Sequence, residues 1–260
     1  MALRRKLTNA AADGDMLCGS FRELLVLQSV YMSQPKTTDE IEALLKRKEQ
    51  LDERLRWGWG GRGGSTEQEY VDALAERGCI NRSLDNDKAA WADFNSVLRL
   101  RPGYAEVRAL RGEAYLSLKN YEAALADFNH ALRLNPNLII ALGGRGVIFF
   151  YYSEYQDALA DFNLVLKLKP GDAEARAWRG ETYLSLKNYE AALADFDRAL
   201  QLKPDFHLTD FINKRRQDAL VHFEREAQEA GRHLSDSELY SRMVGRWQWY
   251  HWTLKGPCGN

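Results

Sequence analysis

Cysteine is scarce in this chain, and the little there is does not cluster. Three cysteines, Cys18, Cys79 and Cys258, are spread over 260 residues. They are odd in number and form no C-x-x-C pair. A disulfide framework is therefore excluded, and a reducing, cytosol-like, cytoplasmic location is the expectation. Net charge is missing as well. Thirty-six basic residues meet 37 acidic ones for a formal charge of −1, and residues 1–70 alone carry eleven of each sign. No field of one sign draws the chain to nucleic acid or acidic lipid, and no basic arm or acidic tail is present. Long apolar runs are also lacking. "LLVLQSVYM" at 24–32 is far shorter than the roughly 20 residues of a membrane span. The opening "MALRRKLTNAAADGD" meets Asp13 and Asp15 before any apolar core, so it is not a secretory signal and only weakly resembles an organelle presequence.

Proline is the informative scarcity. The chain has six, and four of them, Pro102, Pro136, Pro170 and Pro204, stand 34 residues apart. The same interval separates Arg77-Gly78, Arg111-Gly112, Arg145-Gly146 and Arg179-Gly180, and an "ADF" follows each pair at 92–94, 126–128, 160–162 and 194–196. The string "RGEAYLSLKNYEAALADF" at 111–128 recurs at 179–196 with one change, Thr182 in place of Ala114. Four in-register copies at a fixed period of this size specify a solenoid.

Each copy reads as two helices. Asn120 and Asn188 are placed to start the second helix, and Ser153 with Gln156 forms a capping-box pattern at the equivalent point. The proline closes the second helix because it has no N–H to continue the ladder. Gly112 and its equivalents allow close helix approach. Tyr115, Phe149 and Tyr183 on the first helix face Ala124, Phe128 and Ala131 on the second, giving the small-large alternation that interlocking helices require. Each glycine is preceded by Arg and each "ADF" supplies Asp93, Asp127, Asp161 or Asp195, so repeated Arg–Asp ion pairs are expected between the two helices.

The Gly, aromatic, Ala, Phe, Ala and Pro landmarks, at this spacing, resemble the tetratricopeptide repeat (TPR) family over about half the chain. Two features depart from it: Asn81 stands where the first copy should have its core aromatic, and Arg precedes each glycine. The resemblance implies an all-α fold, a right-handed α-solenoid of four TPR helix pairs at 71–104, 105–138, 139–172 and 173–206. The expected organisation is an N-terminal helical hairpin at 1–56, a glycine-rich linker at 57–66, the repeats at 67–206, and at 207–260 a capping helix with an aromatic C-terminal helix and tail.

In the hairpin, "FRELLVLQSVYM" is apolar nearly all round, and a second helix capped by Thr38 carries Ile41, Leu44, Leu45, Leu51 and Leu55 on one face. Either this hairpin docks on the repeats or a second protein completes it. Leu208, Phe211, Ile212, Ala219, Leu220 and Phe223 form the stripe of the capping helix. Ser235 and Glu238 begin a last helix, on whose outer face Trp249 and Trp252 are candidate partner-docking aromatics.

The copies share their scaffold, so specificity belongs where they differ. First helices of a solenoid line its concave face. The second and fourth copies place Glu106, Glu113 and Glu174, Glu181 on that stripe. The third places Ile140, Gly143, Val147, Phe150 and Tyr151 there, and Gly143 with Gly144 removes side chains from the groove side. An apolar, aromatic floor between acidic flanks suits a peptide or helix carrying basic and apolar residues. One branch of the family clamps the terminal carboxylates of heat-shock chaperones with Lys, Asn and Arg. Here Ala75, Cys79, Leu110 and Glu113 stand on the matching stripe, so the resemblance does not extend to that clamp.

No catalytic, metal or cofactor site emerges. The five histidines lie in no H-E-x-x-H or Cys/His cluster, and there is no P-loop or G-x-S-x-G. The expected function is a non-catalytic adaptor or assembly subunit, in a hetero-complex rather than an isolated monomer. The alternative class is a regulatory or effector protein with a partner-dependent enzymatic or nucleic-acid activity.

Overall fold

The fold was described from a computed structural model covering residues 37–56, 66–203 and 209–229. The first helix of the expected hairpin, the glycine stretch 57–65, Pro204, Leu208 and the segment with Trp249 and Trp252 lie outside the described residues. Those residues form helices alone: α1 (Thr38–Leu55), α2 (Glu67–Ser83), α3 (Asp87–Leu100), α4 (Ala105–Ser117), α5 (Tyr121–Leu134), α6 (Ile139–Tyr151), α7 (Tyr155–Leu168), α8 (Ala173–Ser185), α9 (Tyr189–Leu202) and α10 (Thr209–Glu229). Helices α2 to α9 stack as four antiparallel pairs, and α1 and α10 cover the two ends.

Local chemistry sets the helix limits. Asn86, Asn120 and Asn188 each accept a hydrogen bond from the backbone N–H three residues on, which answers one of the donors a helix start leaves open. Two starts differ from expectation. Thr37, not Thr38, caps α1, in a capping box with Glu40. Glu154 rather than Ser153 stands at the start of α7, with no side-chain cap. Ser153 has φ 63 and shares the left-handed conformation of Asp85, Lys119 and Lys187. It closes α6 in a Schellman turn, with Ser153 N–H bonded to Phe150 O and Glu154 N–H to Phe149 O, so it cannot also serve as the next N-cap.

Inside each pair, a phenylalanine of the second helix lies on the glycine of the first. Phe94, Phe128, Phe162 and Phe196 are at most 1% exposed. A Cβ added to Gly78, Gly112, Gly146 or Gly180 would come within 2.6–2.9 Å of the ring, so no larger residue fits without moving it.

The expected Arg–Asp pairs are present in all four units. Arg77, Arg111, Arg145 and Arg179 each donate through Nε and Nη2 to both carboxylate oxygens of the aspartate sixteen residues on, at 2.5–3.1 Å. The third nitrogen reaches back one unit: Nη1 of Arg111, Arg145 and Arg179 donates to Asn95, Asn129 and Asn163 at 2.8, 3.0 and 2.7 Å. Each guanidinium thereby joins its own unit to the preceding one. The Asp hydrogen bond holds every one of these arginines above its ordinary pKa, against the opposing effect of burial. The carbons of the last three also lie 5.6–5.9 Å from the centroids of Tyr115, Phe149 and Tyr183. In the first unit Asn81 replaces that ring and donates from Nδ2 to Asp93 at 3.0 Å.

The ends use the same chemistry. Leu51 and Leu55 of α1 are buried against α2, while Ile41 and Leu45 stay exposed. Asp52 accepts from Arg77 Nη1 at 2.9 Å, where later units use asparagine, and Arg47 grips both oxygens of Glu76. At the other end α10 buries Ile212, Ala219 and Leu220. Phe211, expected on that buried stripe, is 46% exposed instead, because it stands one position off the Ile212 line that meets α9.

Candidate functional site

The first helices α2, α4, α6 and α8 carry the candidate residues. In α6, Ile140, Val147 and Phe150 are half-buried, and Tyr151 and Tyr152 are 53% and 45% exposed. Nothing lies within 4 Å of a Cβ built on Gly143, so its side opens into free space. Gly144 differs from expectation: its added Cβ would collide with Phe128. It therefore receives the ring of the preceding unit, and only Gly143 leaves the groove side empty.

The end of α6 gathers aromatic rings from three units. Tyr151 stacks on Tyr121 of α5, with centroids 5.5 Å apart and planes at 25°. Phe150 meets Tyr155 at 5.8 Å and Trp178 of α8 at 5.6 Å, and Tyr151 meets Trp178 at 6.2 Å. Sequence reasoning missed Trp178 and Tyr121. The signal for Trp178 was available, since the same position holds Glu76, Leu110 and Gly144 in the other units.

The acidic flanks are less uniform than the sequence suggests. Glu113 is paired with Arg82 of the preceding unit. Glu181 is only 7% exposed and is held by Arg215 of α10, whose Nε donates to Oε2 at 2.7 Å. Its charge is answered from within the chain. The two glutamates sit at the same place in the doubled string, yet one pairs with the unit before it and the other with the helix after it.

Glu106 and Glu174 take part in no hydrogen bond or ion pair among the described residues. Glu174 is exposed to solvent, with protein mass gathered around it. Desolvation pushes its carboxyl up from the usual range, and the charges of Asp172 and Glu113 push it the same way. Near Glu106, burial chiefly raises Tyr104, with help from Asp72 and Glu106, to about 12. The candidate stripe thus combines one open backbone position, an aromatic cluster and two carboxylates, Glu106 and Glu174, that make no ion pair among the described residues. No group of three His, Cys, Asp or Glu is arranged to hold a metal ion among the described residues. No helix there is long and apolar enough to cross a membrane.

Comparison with known proteins agrees with this architecture. A tetratricopeptide repeat family model matches residues 151–221 and another matches 105–138. Among solved structures, the chain is similar to a thermophilic TPR protein of Thermus thermophilus, at 22% identity and TM-score 0.56, covering 76% of this chain and 96% of that one. It is also similar to a tetratricopeptide repeat protein from Parabacteroides merdae, at 19% identity and TM-score 0.56, covering 89% of each. No curated protein matches the chain. The fold and the repeats define an α-solenoid of helix pairs. The solenoid carries tetratricopeptide repeats.

Proposed function

We propose that this protein is a non-catalytic adaptor or assembly subunit, holding a partner's peptide or helix in the concave groove as part of a hetero-complex. The observation that carries this reading is the third unit. Gly143 leaves open space beside half-exposed aromatic rings, at the unit where the stripe shared by the second and fourth copies loses both glutamates. Apolar anchors buried at such a floor, with water excluded around them, supply most of the affinity of a groove complex. The unpaired carboxylates of Glu106 and Glu174 favour a segment with basic as well as apolar residues. Ile140, Val147, Phe150 and Tyr151 form the floor.

Gly143→Arg tests the reading in the full chain. Its side chain enters open space, so thermal stability stays at or above the wild-type value while partners recovered with the wild type are lost. Full retention of every partner by a folded Gly143→Arg protein would remove the groove from the account.

A further inference from the structure

We propose that the partner's anchoring residue is an arginine, its guanidinium paired with Glu174 and laid against the rings of Tyr151 and Trp178. The inference rests on the groove reading above and names the chemistry of its occupant.

The chain itself shows how it satisfies a glutamate on its first helices. Glu76 takes Arg47, Glu113 takes Arg82 and Glu181 takes Arg215. In each case the cation is a guanidinium delivered from a neighbouring helix. Glu174 occupies the same groove line on α8, one turn before Trp178, and no described residue supplies its guanidinium. Asp172 and Glu113 repel its charge, while Lys203 and Lys169, the latter paired with Asp172 at 3.0 Å, act in the opposite direction more weakly. A carboxylate with two like-charged neighbours gains from a cation that relieves their mutual repulsion.

Arginine fits better than lysine for a geometric reason. A planar guanidinium can stack on an aromatic face and still donate to a carboxylate, whereas an ammonium is a compact, strongly hydrated point charge. The chain uses that dual arrangement three times already, with Arg111, Arg145 and Arg179 each lying over a ring while gripping an aspartate. Tyr151, 53% exposed, and Trp178 beside it offer the rings.

A random 12-residue peptide display library panned on the full chain, with counter-selection on Gly143→Arg, tests the proposal without presuming a sequence. Groove-dependent peptides should share an arginine beside apolar residues. Glu174→Gln should weaken them about tenfold, Tyr151→Ala should weaken them measurably, and arginine-to-lysine exchange in the peptide should cost about fivefold or more. Groove-dependent peptides that lack arginine or ignore Glu174→Gln would overturn the inference and leave the groove reading standing. If no peptide depends on Gly143, the groove reading itself fails and takes the inference with it. Concentration-dependent self-association abolished by Glu174→Gln would assign the site to a second copy of the chain, overturning the choice of partner.

Discussion

Arg145 donates to both oxygens of Asp161, at 2.8 and 2.7 Å, and with its remaining nitrogen holds Asn129 of the preceding unit at 3.0 Å. One side chain thus fixes the two helices of its own pair and the pair before it. Asp161 is 5% exposed, so removing its partner strands a nearly buried carboxylate. Arg145→Ala should lower unfolding stability by about 1–3 kcal/mol, at the modest end for a buried pair because Arg145 is partly solvated. A double-mutant cycle with Asp161→Asn, followed by denaturant unfolding, should show coupling of about 1 kcal/mol or more. Strict additivity would contradict the pairing.

Adjacent glycines should respond in opposite directions. Gly143→Ala adds a methyl group to open space in a helix interior and should stabilise by about 1 kcal/mol. Gly144→Ala drives a methyl group into Phe128, which is fully buried between Gly112 and Gly144, and should destabilise by about 1–3 kcal/mol. Thermal unfolding of the two variants side by side checks both signs.

The left-handed turn residues offer a third test. Lys119 and Lys187 both have φ 60, a conformation glycine adopts without a Cβ penalty. Lys119→Gly and Lys187→Gly should each stabilise by roughly 0.5–1 kcal/mol. Equal or lower stability in both would mean that the lysine side chains contribute contacts beyond the turn.

The scaffold was legible in the sequence because its physics repeats every 34 residues. The glycine, the phenylalanine that covers it and the Arg–Asp pair all sit at fixed offsets, so four copies disclose what one would not. The groove was less legible, because its chemistry depends on neighbours that the period does not supply. From the arginine onward, the local strings around Glu113 and Glu181 differ only by Ala114 against Thr182. Their opposite partners come from Arg82 and Arg215, which lie in different units. Gly144 misled for the same reason: its contact is Phe128, a residue of another helix. Ser153 matched a capping box on paper, yet the turn needed it in the left-handed conformation, and Glu154 took the starting position.

Glu174 makes stability depend on pH. Its carboxyl is held above the ordinary value of 4.5 by desolvation and by Asp172 and Glu113. The folded state therefore binds its proton more tightly than the unfolded chain does. Stability from this group is fully present below pH of about 4.5 and is lost as pH rises through the folded value. Glu174→Gln should raise the thermal midpoint at pH 7 by about 2 °C, with the gain shrinking toward pH 4. A variant less stable than wild type at pH 7 would show that Glu174 already has a cationic partner.

The central claim is that the third unit's floor receives a partner. Photo-crosslinking from the full chain tests it most directly, with p-benzoylphenylalanine in place of Tyr151 and the chain expressed in its own cells. The account predicts a crosslink to a discrete segment of another protein, through apolar residues beside an arginine, that disappears when Gly143→Arg is added. Crosslinks confined to the chain itself, or unchanged by Gly143→Arg, would contradict it.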